Sequence, residues 1–336
     1  GLGDVYKRQI LDGGHAGKGN VLVAEADESD GSFAKYHPQI AIITNSEADH
    51  LDHYGTQDNY RAAFVDHAGH ATKAVIMCGD DEGNLAVLRA LDATVAGRTI
   101  VYSTRNAAEL GDLNGATLVR IESESETAES GAEHFTLHIP GGLIGEEERR
   151  IAVTLTVPGI HNARNASAAI IAAALLGMDV ERASAAVTSF LGAARRFQVR
   201  GTVSQVTVVD DYAHHPTEIR ATLNAALNYP HKRLVLVFQP HTYSRTIAFL
   251  DDFAKALSIC DHVIVTDIYA AREKDTGIVS SKDIVDRMAD YDVDVHYIKE
   301  FDDIEEFILK NCKKNDLLIT MGAGNVDSIG NSLVNR

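Results

Sequence analysis

Positive charge is what this sequence has least of: 31 Lys and Arg stand against 48 Asp and Glu, a net charge of −17. Duplex nucleic acid and anionic membranes both need a basic face, so neither is expected as the main partner. Cysteine is scarce too. Cys78, Cys260 and Cys312 are widely spaced and form no CxxC pair, which excludes a disulfide framework and a structural zinc site. Long apolar runs are also missing. The longest, Ala166–Met178, is too short to cross a bilayer and is interrupted by Ser167 and Gly177, so it reads as a buried helix. No secretory signal opens the sequence, and the cytoplasm is the expected compartment.

What is present suits an ordinary globular protein: 336 residues, 45% hydrophobic and 24% charged, enough for two domains with cores of their own. Strand-like runs alternate with helix-like ones, the pattern of an α/β fold with mainly parallel sheets. In the first half strands are expected at Val21–Ala24, Ile40–Thr44, Ala74–Cys78 and Thr99–Tyr102, with helices near Asp58–Ala71 and Gly83–Leu91. TLVRIES, HFTLHIP and RIAVTLTV then read as a small antiparallel addition. Pro158 and Gly159 open a long alanine-rich helix, followed by a second from Val180 to Leu191.

After GAARRFQVRG the βα alternation restarts, with strands at Val206–Val209, Leu234–Phe238, His262–Thr266, Val293–Ile298 and Leu317–Met321. A domain boundary is placed near Gly192–Arg195, giving a central unit over 10–193 and a Rossmann-like unit over 194–336. Residues 1–9, GLGDVYKRQ, read as a non-native leader, and ESESETAESGAE (122–133) as a solvated loop.

Doubly wound sheets bind ligands at the carboxyl ends of their strands, and unusual clusters fall at such ends here. AEADESD and TNSEADHLDHYG bring Glu25, Asp27, Glu28, Asp30, Glu47, Asp49, His50, Asp52 and His53 to two neighbouring strand tips. That is either a solvated, helix-capping loop or a magnesium environment. PGIHNARNASAA puts His161, Asn162 and Asn165 at a helix start, where they either cap the helix or attend an anion. Arg195 and Arg196 could grip a phosphate or simply be solvated.

VVDDYAHHPTEI gathers Asp210, Asp211, Tyr212, His214 and His215 around one strand end. A carboxylate and histidines there could orient a nucleophile or accept a proton, and a purely structural use of all five is the less favoured reading. FQPHTYSRT adds His241, Tyr243 and Arg245, and DIYAAREKDTG adds Asp267, Tyr269, Arg272, Glu273 and Lys274. TMGAGNVDSIG is a Gly-rich strand-to-helix turn without the third glycine of a dinucleotide fingerprint.

Taken together, AEADESD, TNSEADH, GIHNARNASAA, RRFQ, DDYAHHPTEI, QPHTYSRT and GAGNVDSIG resemble the Mur ligases of peptidoglycan synthesis, from about Gly13 to the C-terminus. The resemblance implies a central ATPase domain followed by a Rossmann-like domain, with ATP and Mg2+ as cofactors. It implies magnesium ligation by Glu25 and His50, and places Asn162 and Asn165 near the nucleotide. Arg196 would contact phosphate and Asp211 would lie beside the nucleotide and intermediate. Tyr212, His214, His215 and Arg245 would place the amino acid, with Arg196, Asp211 and His215 carrying the catalysis. Histidine is an uncommon ligand for magnesium, so His50 rests on the resemblance.

Within the family, AEADESD and HTYSRT favour the branch that joins L-alanine to UDP-N-acetylmuramate through an acyl phosphate. The rival branch recycles a whole tripeptide onto the same sugar nucleotide. A non-catalytic nucleotide or amino-acid binding module is the alternative from another class. One departure bears on all three: the single Gly-Lys, Gly17-Lys18, is followed by Gly19, and Asp12 stands where a P-loop needs glycine. The expectation is therefore an N-terminally truncated piece that is inactive alone, with apolar surface exposed near Val21–Ala24.

Overall fold

The computed structural model describes residues 18–123 and 132–336, apart from the side chain of Asp52. The leader, the Gly17-Lys18 pair's first residue and most of the 122–133 loop lie outside the described residues.

Two sheets of six strands each organise the described residues. In the first, strands β1 (Ile40–Ile43), β2 (Ala74–Cys78), β3 (Thr99–Ser103), β4 (Thr117–Ser123), β5 (Glu133–Ile139) and β6 (Arg149–Leu155) lie side by side in sequence order. β1 to β4 are parallel, and β4, β5 and β6 are antiparallel. β2 and β3 are buried at every residue, as strands covered on both faces must be. β5 and β6 alternate instead, with one face on the core. The alanine-rich segment is the helix Ile160–Leu175, which packs Ala163, Ile170 and Ile171 against that sheet. Its small side chains allow the close approach.

The second sheet contains β7 (Gln198–Val203), β8 (Val206–Asp211), β9 (Leu234–Phe238), β10 (His262–Val265), β11 (Asp294–Tyr297) and β12 (Leu317–Met321), in the order β11-β10-β9-β12-β8-β7. All pairs are parallel except β7 with β8. The crossover of β12 back between β9 and β8 leaves a crevice at the carboxyl ends of these strands.

Two local expectations are corrected. Val21–Ala24 is not a strand; it has no strand partner, with Val21, Leu22 and Val23 exposed by 54%, 90% and 88%. β1 is the edge of its sheet, its Ile42 is 43% exposed, and no ladder forms between it and this segment. An isolated run has neither hydrogen-bond partners nor a covered face, so apolar composition alone does not make it a strand. In the other direction, five strands are expected in the second unit, and Gln198–Val203 is a sixth. Gly201 sits at a bulge in its pairing with β8, and that irregularity hides the alternation.

Candidate active site

On the C-terminal side, the turn after β8 is tied down at almost every polar atom. Asp210 is fully buried and accepts from Arg195 Nε (3.1 Å), Arg200 Nη2 (3.2 Å) and Thr320 Oγ1 (2.9 Å). Asp211 accepts from the backbone N–H of Phe197 (2.7 Å) and of Ala213 (2.8 Å). Burial pushes its carboxyl up to about 6, against the pull of those two N–H groups. Asp211 therefore joins the start of β7 to the turn that follows β8.

The neighbouring arginines divide the work. Arg195 adopts a left-handed backbone conformation (φ 56) and donates to the carbonyls of Gly322 (2.7 Å) and Gly324 (3.1 Å). It braces the Gly-rich turn. Arg196 is half exposed, 3.6 Å from Glu218 Oε1, with its guanidinium 5.8 Å from the Tyr212 ring centre. Of the pair, Arg196 is the one positioned to meet an anion.

His215 is the N-cap of the helix Pro216–Leu227, and its Nδ1 accepts from Thr217 N at 3.4 Å. Glu218 closes the capping box, accepting from His215 N (3.3 Å) and also from His214 N (3.1 Å). His214 Nδ1 donates to Tyr212 O at 3.0 Å, and burial holds its pKa below the usual imidazole value. Asp210, Asp211, His214 and His215 thus all have structural partners. These four groups therefore hold the turn while standing at the strand end.

After β9, which β12 separates from β8, His241 Nδ1 accepts from Arg245 Nη1 at 3.2 Å, and its ring stacks on Tyr269 at 5.8 Å. Burial, reinforced by His214 and Arg245, pushes the His241 pKa down to about 4, so the ring is neutral and free to accept. Gln239 accepts from the N–H groups of Asn325 (2.9 Å) and Val326 (3.2 Å) and fixes the Gly-rich turn from the other side. A Cβ on Gly324 would stand 2.2 Å from Gln239 Oε1, which explains glycine there.

The central unit's side is looser. His50 caps the short helix Leu51–Tyr54 in a left-handed conformation (φ 52). The carboxylate beside its ring is that of Glu28, 3.6 Å from Nε2; Glu25 is exposed. Among the described residues no three His, Cys, Asp or Glu side chains are grouped to hold a metal. The structure therefore does not bring Glu25 and His50 together, and the nearer carboxylates are Glu28 and Asp49.

At the start of Ile160–Leu175 the N-cap is Gly159, not an asparagine. Asn162 Nδ2 donates back to Pro158 O (2.7 Å), and Asn165 is exposed. His161 is driven down to about 4, by burial first and then by Arg164 and Arg196. Arg164 is anchored to Asp80 at 2.6 Å.

The two units meet here. Thr217 Oγ1 donates to Glu47 Oε1 (2.9 Å), and Arg245 Nη2 lies 3.6 Å from Asp49 Oδ2. Gly159 packs so closely on Ala225 that an added Cβ would stand 2.8 Å from its methyl group. Arg245 and Thr217, from the second unit, thus meet Asp49 and Glu47 of the central unit. Sequence reasoning gave no role to Glu218 or Gln239, and placed Glu47 only in the acidic cluster. Glu218, three residues after the cap, carries the capping-box spacing and was legible in principle.

Comparison with known proteins agrees with this architecture. The family description "Mur ligase middle domain" matches residues 11–173, and "Mur ligase, glutamate ligase domain" matches 195–324. The chain is 77% identical over 325 residues to the UDP-N-acetylmuramate--L-alanine ligase of Bifidobacterium adolescentis, covering 94% of this chain and 62% of that protein. It is 54% identical over 332 residues to the enzyme of the same name from Bifidobacterium longum, covering 96% of this chain and 65% of that protein. The crystal structure of MurC, the UDP-N-acetylmuramate-alanine ligase of Thermotoga maritima, superposes with a TM-score of 0.70 at 26% identity, over 92% of this chain and 62% of that one. The chain thus spans somewhat less than two thirds of the length of these relatives. With both of its sheets accounted for by the two matched domains, the chain belongs to the Mur ligase family.

Proposed function

We propose that this chain supplies the nucleotide-binding and amino-acid-binding parts of an ATP-dependent ligase that joins L-alanine to UDP-N-acetylmuramate. Residues 10–193 are assigned to the central ATP-binding unit and 194–336 to the amino-acid-binding unit. The observation that carries the reading is the approach of Asp49 and Arg245 to 3.6 Å between the two units, with Thr217 on Glu47 as a second contact. A site of that kind holds an anion and an amino acid at once.

In the reaction, a carboxylate oxygen of the muramyl group attacks the γ-phosphorus of ATP and ADP departs, leaving an acyl phosphate. The alanine amine attacks the acyl carbon, and the tetrahedral intermediate expels inorganic phosphate as the amide forms. We assign Arg196 to neutralise charge on the transferred phosphate; its half-exposed guanidinium, 3.6 Å from Glu218, supports this, whereas that of Arg195 is bound to backbone carbonyls. Asn162 and Asn165, at the helix start behind His161, are assigned to the nucleotide.

The two histidines of the turn are held in opposite tautomers. Nδ1–H of His214 donates to Tyr212 O, which leaves its Nε2 as a proton acceptor. Nδ1 of His215 accepts from Thr217, which leaves its proton on Nε2 as a donor. His214 is therefore suited to take the amine's proton, and His215 to hold a carboxylate or oxyanion. Asp211 keeps Ala213 and Phe197 in place and acts through them.

Magnesium sits on one or two carboxylates plus phosphate oxygens and water. Glu28, whose carboxylate lies 3.6 Å from His50 Nε2, fits that donor set, with Glu25 three residues before it. When bound, the ion would screen phosphate charge. No helix among the described residues is long and apolar enough to cross a membrane. A cytoplasmic location is proposed with this functional reading.

The test is phosphate release by a polypeptide that contains this chain and has the relatives' full length. Turnover should require ATP, UDP-N-acetylmuramate and L-alanine together. Release without alanine, or preference for a tripeptide over alanine, would overturn the assignment.

A further inference from the structure

The Asp49–Arg245 approach has an unusual character. Its 3.6 Å separation is wider than a charge-assisted hydrogen bond, which closes to about 2.7–2.9 Å. The two groups also belong to different units, one on the TNSEADH segment and the other on the helix Tyr243–Ala248. Each is held by its own neighbours. Asp49 Oδ1 accepts from His50 N at 2.8 Å, so it is Oδ2 that faces Arg245. Arg245 places Nη1 on His241 Nδ1 and turns Nη2 toward Asp49. A second cross-unit contact, Thr217 to Glu47, keeps the two surfaces in register beside it.

An open, opposed carboxylate and guanidinium have the chemistry of both ends of an α-amino acid. We propose that Asp49 is the ammonium anchor for the amino-acid substrate, facing Arg245 as the carboxylate anchor, and that the zwitterion enters by parting this pair. The inference rests on the functional reading above, in which Arg245 places the amino acid; what it adds is the opposite pole and its origin in the central unit.

This arrangement has two consequences. The amino acid bridges the two units, so its binding and the set of the cleft are coupled through Asp49. Selection also falls on charge at both ends. A ligand with the carboxylate alone gains Arg245 but leaves Asp49 unpaired, and one with the ammonium alone does the reverse. Replacing Asp49 by an uncharged isostere therefore has opposite effects on the two kinds of ligand. It removes an anchor from the zwitterion, and it removes a competitor from the bare carboxylate.

Calorimetric titration of this chain with L-alanine, glycine, propionate and L-alaninamide tests the proposal. In the unaltered chain L-alanine should bind more tightly than propionate or the amide. In Asp49→Asn the affinity for L-alanine should fall about tenfold while propionate holds or tightens. In Arg245→Gln, L-alanine and propionate should both weaken. Equal tightening of L-alanine and propionate in Asp49→Asn would make Asp49 a mere competitor and overturn the inference, as would no change in either. If glycine binds with Asp49 dependence but L-alanine does not, the zwitterion site stands and the assignment of alanine fails. If L-alanine binds without Asp49 dependence, the assignment stands and this inference fails. Absence of binding by any zwitterion overturns the inference, and the three-substrate turnover assay then judges the functional reading separately.

Discussion

On the C-terminal side of the cleft, Asp210, Asp211, Gln239 and Glu218 each bind two or more donors, and Arg195 ties the turn after β8 to the turn after β12. On the opposite side, the segment that carries Glu25 exposes Val21, Leu22 and Val23, and His50 meets its nearest carboxylates at 3.6 and 3.9 Å. The same kinds of residue, acids and a histidine at strand ends, are rigid in one place and loosely held in the other. The difference comes from the supporting layer. Where a turn is enclosed by strands on both sides, each buried carboxylate finds N–H donors. Where the segment borders an edge strand, its carboxylates stay in water. Preorganisation is therefore expected from the C-terminal unit, and ligand-dependent ordering from the residue 21–56 region.

The largest effect that could break this comparison is at Gly322, which has φ +145 and would place a Cβ 2.5 Å from the backbone oxygen of Gln239. Gly322→Ala should cost about 3 kcal/mol or more, since backbone and not a flexible side chain blocks the site. A urea midpoint close to that of the unaltered chain would mean that the turn is not rigid.

The arginine pair gives the next largest contrast. Arg195→Lys loses the fork that reaches two carbonyls and Asp210, at about 2 kcal/mol. Arg196→Lys should change stability by no more than about 0.5 kcal/mol while weakening nucleotide-dependent binding about tenfold. Chemical denaturation and ADP titration of both variants separate the roles, and equal stability losses would contradict them.

The third effect is acid sensitivity, and it belongs to packed rings. Burial holds His161 and His241 at about 4, and lowers His67 and His214, all from an ordinary value of 6.5. Below that value the unfolded chain takes up protons that the folded rings refuse. Stability is therefore full above about pH 6.5 and is lost as pH falls toward 4. Asp211 opposes this, since its carboxyl takes up a proton in the fold as pH falls through about 6. The thermal midpoint should drop between pH 7 and 5, less steeply in His241→Asn. A midpoint that rises over that interval would show Asp211 dominating.

How much of this was legible beforehand follows the same division. The strands Ala74–Cys78, Leu234–Phe238 and Leu317–Met321 are continuous apolar runs bounded by turn residues, and each lies where its composition put it. The placing of Tyr212, His214, His215 and Arg245 at the carboxyl ends of β8 and β9 was legible because parallel sheets collect such residues on one side, but that β12 lies between those strands was not. The roles inside the cluster were not. Nothing in the letters ARRF tells which arginine turns inward, because that depends on carbonyls more than 120 residues away in sequence. Likewise VLVA reads as a strand, but strandhood is a property of a pair, and the letters do not supply the partner.

The smallest expected effect is also the most direct check on the looser side. Leu22 and Val23 are almost fully exposed, so converting either to Ser removes no buried apolar area and should move stability by no more than about 0.5 kcal/mol. Amides of this stretch should exchange with solvent fast, since no ladder joins it to β1. The outcome that would sink the comparison is specific: a loss of about 1.5 kcal/mol or more for Leu22→Ser, the cost of unburying a large aliphatic side chain, together with slow exchange. That result would mean the segment packs against the edge of the central sheet in solution. Glu25 and Glu28 would then be positioned from a strand, as the acids after β8 are, and the two sides of the cleft would be equally preorganised.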